Sequence, residues 1–258
     1  MSGARTPQAA SFEFGAERVA AVAGAVMALF WLLEPVAPTP LALTFGPDAS
    51  TSMYVYAALQ IALMFFLVRR NRVAWVFAVA LSGSLLVPAG VLFGLSIKGD
   101  PFEAIIILAP YLTMFVTQLA CVSRMQVGGD PRLMAAGAGF ATALLWLVAG
   151  LTEGSWTAAS LAAFGGKDIG MAALVVLVAL EAGLAAGILL RNRAAWAFAL
   201  SLAATLTLPL LIAVTRMQWR GQFVDATTAL FLHVALIAVQ AMAYDRMGAA
   251  GAVREREA

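Results

Sequence analysis

Arg70-Asn71-Arg72-Val73-Ala74-Trp75-Val76-Phe77-Ala78 opens a stretch that runs through Leu81 and Leu85 to Pro88. Arg191-Asn192-Arg193-Ala194-Ala195-Trp196-Ala197-Phe198-Ala199 opens a second, through Leu202 and Leu206 to Pro209. The offset is 121 residues throughout, and 10 of 19 positions are identical. In each copy a short basic break separates two long apolar runs, the pattern of a tight hairpin between membrane-spanning helices.

The match extends outward from these hairpins. Gly24, Ala28, Leu29, Trp31 and Leu32 correspond to Gly139, Ala143, Leu144, Trp146 and Leu147. Phe45-Gly46 corresponds to Phe164-Gly165, and Gln118, Arg124 and Met125 correspond to Gln240, Arg246 and Met247. The repeating unit is therefore four helices. An even number of spans returns the chain to its starting side, so the two units run parallel, and a pseudo-two-fold axis along the membrane normal is expected.

Composition agrees with a membrane environment. Of 258 residues, 62% are hydrophobic and 12% charged, against about 25% charged in soluble domains. Eight apolar runs are read at about 17–36, 52–69, 73–97, 102–123, 133–151, 170–190, 194–215 and 225–245. The expected fold is an all-α integral membrane protein of eight transmembrane helices in two parallel four-helix repeats (4+4). The expected divisions are an N-terminal tail 1–16, a first repeat 17–125, a linker 126–131, a second repeat 132–247 and a C-terminal tail 248–258. The first 16 residues contain Arg5 and Glu13 and do not read as a cleaved signal peptide, so the first run is expected to be a retained helix.

Charge gives the orientation. With both termini cytoplasmic, 12 Lys and Arg residues fall inside and only Lys98, Lys167, Arg216 and Arg220 fall outside. The positive-inside rule therefore predicts N-in and C-in, in the cytoplasmic (inner) membrane. The basic residues are boundary signals, and no nucleic acid is expected as a partner. The expected partners are the lipid bilayer and either other membrane subunits or a second copy of the chain. The candidate faces are the small-residue stripes Ala20/Gly24/Ala28, Ala135/Gly139/Ala143 and Gly183/Gly187, although packing within the chain is the simpler use of such stripes.

Little in the sequence points to covalent chemistry. Cys121 is the only cysteine and His233 the only histidine. An intramolecular disulfide, a cysteine cluster, a bis-histidine haem and a His-rich metal site within one chain are thereby excluded. No GxSxG, HExxH, P-loop or paired-carboxylate signature occurs. Lys98 and Lys167 lie near external loops, so no mid-helix lysine is available for a Schiff base. No enzyme activity, cofactor or metal is expected.

The functional pointers are polar residues at membrane depth, where they are costly to keep. Glu181 lies ten residues before Arg191, which at about 1.5 Å per residue places it roughly 15 Å from the boundary, near the midplane. His233 lies at a similar depth. Their repeat partners are Gln60 and Tyr111. Gln118 and Gln240, seven residues after Tyr111 and His233, share a helix face with them. Pro88, Pro110 and Pro209 interrupt helices; Pro88 and Pro209 free the carbonyls of Ser84 and Thr205. Glu103 stands at the start of the fourth span and is expected to favour that helix N-terminus.

Two functions fit these features. The first is a non-catalytic multi-pass protein acting as a subunit or scaffold of a larger membrane assembly. The alternative is a small transporter or channel, proton-coupled through Glu181 and His233.

Overall fold

The computed structural model describes residues 15–37, 50–125, 130–151, 167–216, 221–244 and 247. The matched loop residues Phe45-Gly46 and Phe164-Gly165, residues 1–14 of the N-terminal tail and the C-terminal tail lie outside the described residues. The described elements are α1 (Ala16–Leu33), α2 (Ser50–Val68), α3 (Arg72–Ser96), α4 (Pro101–Ala120), α5 (Pro131–Leu151), α6 (Lys167–Leu189), α7 (Arg193–Arg216) and α8 (Gly221–Ala241). A 3₁₀ turn, Val122–Arg124, follows α4, and no strand occurs among the described residues. By length and composition, four stretches are long and apolar enough to cross a membrane: Ala16–Leu33, Arg72–Ser96, Pro101–Arg124 and Arg193–Ile212. Four shorter apolar segments accompany them: Met53–Val68, Pro131–Leu147, Leu174–Leu189 and Ala226–Ala241.

The Arg-Asn-Arg hairpin has a mechanical explanation. Arg70 and Arg191 adopt left-handed φ values of 58° and 61°. At the first corner the Asn71 amide donates to the Phe66 carbonyl (3.1 Å) and the Arg70 amide to that of Leu67 (2.8 Å). At the second, Asn192 reaches Gly187 (3.0 Å) and Arg191 reaches Ile188 (3.0 Å). This is the Schellman closure of a helix, with arginine where glycine is usual. The asparagine then begins the next helix: Asn71 Oδ1 accepts from the amides of Val73 and Ala74, and Asn192 Oδ1 accepts from that of Ala195. One residue thus closes one helix and caps the next, which accounts for the tight turns. The tryptophan four residues on ties the hairpin to the last helix of its unit. Trp75 Nε1 donates to the Gln118 carbonyl at 2.8 Å, and Trp196 Nε1 to the Gln240 carbonyl at 3.0 Å.

Within each half the same neighbours meet: α1 packs on α2 and α4, and α3 on α2 and α4, as α5 packs on α6 and α8, and α7 on α6 and α8. The small-residue stripes lie inside these contacts. Ala20 and Ala28 are buried, and a Cβ placed on Gly24 would overlap Gln60 Nε2 and Met64 Sδ. Ala135 and Ala143 are buried, and a Cβ on Gly139 would come within 3.1 Å of Ala185 Cβ. Gly187 similarly faces Ala195. Of the glycines expected to offer a partner face, Gly183 alone is exposed with open space at its Cβ. The stripes on α1 and α5 therefore serve close approach within the chain and are not available to a partner.

The halves join through α3 and α8. Gly83 lets α8 approach, since a Cβ there would come within 3.2 Å of the Phe231 ring. Ser84 Oγ lies 3.0 Å from Thr228 Oγ1, and Thr227 Oγ1 donates to the Ser84 carbonyl at 3.4 Å. That carbonyl is the one Pro88 frees, so a threonine from the other half supplies its donor. A strict two-fold axis would pair α7 with α4 in the same way. No comparable α4–α7 packing exists among the described residues, which departs from the two-fold expected from the sequence. The residues show why: at the positions matching Gly83 and Ser84, α7 carries Ala204 and Thr205, and both are exposed.

Candidate functional site

His233 is carried by α8 and Glu181 by α6, and the structure brings them together. His233 Nε2 lies 3.8 Å from Glu181 Oε1, with the side chains only 1% and 5% exposed. This distance permits an ion pair but exceeds a hydrogen bond. The other imidazole nitrogen is committed: His233 Nδ1 lies 2.9 Å from the Ala229 carbonyl, four residues back on its own helix. A carbonyl only accepts, so Nδ1 carries hydrogen. Nε2 is the nitrogen that faces the carboxylate. Neither Nε2 nor either Glu181 oxygen has a hydrogen-bond partner among the described residues.

The ring of Trp146 lies against His233, with centroids 5.3 Å apart at 58°. The matched contact in the first half is Trp31 against Tyr111, at 6.5 Å and 28°, with Tyr56 edge-on to Trp31 at 6.2 Å. Gln60, at the position matching Glu181, is fully buried beside Gly24 and Met64. Gln118 and Gln240 are buried as well, and their backbone carbonyls receive the two indole donors. Gln240 also lines a cavity of about 10 Å³ together with Glu181, Gly139 and Ala185. Sequence reasoning had located the polar residues by depth but had not found this cavity or the Trp146–His233 contact. The matched Trp31 and Trp146 were its available signal.

Other expected residues fall outside this cluster. The N-cap of α4 is Asp100, whose Oδ1 accepts from the amides of Phe102 (2.9 Å) and Glu103 (3.1 Å). Glu103 is the acidic residue of the first turn, where it favours the helix N-terminus, and Pro101 stands at the start of the helix. Cys121 is buried at the end of α4, with Sγ 3.2 Å from the Ala16 carbonyl. Near the same end, Arg70 grips Glu17 through Nε (3.1 Å) and Nη2 (2.8 Å). Among the described residues no group of three or more His, Cys, Asp and Glu could hold a metal ion. Compared with protein-family models, curated proteins and solved structures, the chain matches none.

Proposed function

We propose that this chain is an eight-span protein of the cytoplasmic membrane, both termini inside, built from two parallel four-helix repeats, and that it is a small transporter coupled to protons through Glu181 and His233. The observation that carries the reading is the buried pair itself, with Nδ1 committed to Ala229 and Nε2 left facing Glu181 Oε1 at 3.8 Å. A pair kept for packing alone is expected to have its acceptors met, since a polar atom left unsatisfied in an apolar interior costs about 1–3 kcal/mol. Here Glu181 Oε1 and Oε2 and His233 Nε2 have no hydrogen-bond partner among the described residues, a condition they share with the buried side-chain amides of Gln60 and Gln118. Ionisable groups within spans commonly mark proton or substrate routes. The eight-span topology is supported by the four long and four shorter apolar segments and by the distribution of basic residues. The repeat is supported by the paired left-handed arginines, asparagine caps and tryptophan donors.

The experiment is proton uptake by the purified chain in liposomes under an imposed pH gradient. Glu181→Gln preserves shape but carries no proton, and it should reduce uptake at least tenfold. Wild-type uptake that survives this change would remove the coupled reading. The second reading, a non-catalytic subunit or scaffold of a larger membrane assembly, is favoured by Gln60 and Tyr111, which hold the matched positions in the same fold without a titrating pair. It predicts that Glu181→Gln is nearly silent and that the chain leaves native membranes with stoichiometric partners.

A further inference from the structure

We propose that the cavity between Glu181 and Gln240 is a water site, and that its water delivers protons to Glu181 from the Gln240 side. For this relay role the inference rests on the transport reading; the water itself stands on geometry. The cavity has room for about 10 Å³ and is lined by Glu181 and Gln240 together with Gly139, Ala185 and Leu236, a space matching about one water. Glu181 Oε1 and Oε2 and Gln240 Oε1 are buried and have no donor among the described residues. Acceptors around one cavity cannot satisfy each other. A water molecule brings two O–H donors, one for the carboxylate and one for the amide oxygen. The site depends on a glycine: a methyl at Gly139 would press on Ala185 Cβ at 3.1 Å.

The far side of the pair differs. A second cavity of about 10 Å³ is lined by Thr142, Leu145, Trp146, Ala229, Leu232 and His233. Its Thr142 hydroxyl already donates to the Ala138 carbonyl at 2.9 Å, and His233 Nδ1 to that of Ala229. The remaining surface is largely apolar, and such a space stays dry. The wet route therefore reaches the pair from one side, that of Gln240, the cytoplasmic end of α8 in the proposed topology. In the transfer step one water O–H breaks as an O–H forms on Glu181, and an incoming proton from the cytoplasmic side restores the water.

The test is magnetisation transfer from water in solid-state NMR of the full chain in liposomes, read at the Gln240 side-chain amide and the Glu181 carboxyl carbon. Transfer to both is expected in the wild type, with its loss in Gly139→Ala. If Gly139→Ala fails to fold, Gln240→Leu is read at Glu181 alone, where loss is again expected. Absence of transfer in the wild type, or transfer undiminished by either change, overturns the water site. A sodium-dependent shift of the Gln240 signal without water transfer would also overturn it, because a cation would then meet the acceptors. Wild-type proton uptake with no water transfer sinks this inference alone. Water transfer without uptake sinks the transport reading and the relay role with it.

Discussion

Two regions of this molecule, α1–α4 and α5–α8, make like helix contacts around different chemistry. In the first, Trp31 lies against Tyr111, and Gln60 sits buried beside Gly24. In the second, Trp146 lies against His233, and Glu181 faces both His233 and a cavity bounded by Gly139. The aromatic contact, the glycine and the indole donors recur, so the arrangement does not require a titrating group. The ionisable pair is an addition to a framework that stands without it, which makes it the place to look for function.

The largest expected effect breaks this comparison directly. Converting the second half towards the first with Glu181→Gln should reduce proton uptake at least tenfold while leaving the melting temperature in detergent nearly unchanged. A large loss of stability without loss of uptake would reverse the assignment of roles. The next effect sharpens the comparison of the two glycines. Gly24→Ala forces a methyl onto Gln60 and Met64, whereas Gly139→Ala meets only Ala185. Overpacking of the first kind costs about 1–3 kcal/mol, so thermal unfolding should show Gly24→Ala as clearly the more damaging change. Equal melting temperatures would mean that Gln60 and Met64 yield freely.

Smaller effects come from the hairpins. Trp75→Phe and Trp196→Phe each remove one indole donor from a last-turn carbonyl, a net loss of about 0.5–1.5 kcal/mol. The two should be similar in denaturant unfolding. The smallest effect separates the corners. Arg70 and Arg191 both sit in the left-handed region, which costs non-glycine residues about 1–2 kcal/mol. Arg191→Gly should therefore raise stability slightly. Arg70→Gly gains the same relief but loses the Glu17 contacts, so its net change should be nearer zero. An equal gain at both corners would show that the Glu17–Arg70 pair contributes nothing measurable.

Much of this was legible in the sequence because periodicity and repetition are local properties. The Arg-Asn-Arg breaks mark the tight hairpins, and counting ten residues back from Arg191 and twelve back from Asp245 gives Glu181 and His233 a similar depth. The small-residue stripes were legible as faces, but not as faces turned towards α2 and α6, because spacing along one helix does not name its neighbour. The tryptophan donors were not legible either, since their acceptors are backbone carbonyls 43 and 44 residues away. The departure from a strict two-fold had a signal that sequence reasoning passed over. Gly83 and Ser84 stand opposite Ala204 and Thr205 in the alignment of the halves, and only the first pair admits another helix closely. The same difference appears along the hairpin helices: Phe77 is 7% exposed, whereas its counterpart Phe198 is 68% exposed. Matched sequence does not give matched environments here: α3 packs on α8, and no comparable packing of α7 on α4 occurs among the described residues.

The central claim is that the Glu181–His233 pair carries a proton. His233 is the only histidine, so ¹⁵N NMR of the imidazole reports on one site without assignment. A hydrogen on Nδ1, held by the Ala229 carbonyl, and an Nε2 resonance that changes when Glu181 is changed to Gln are expected. An Nε2 resonance indifferent to Glu181→Gln would contradict the claim.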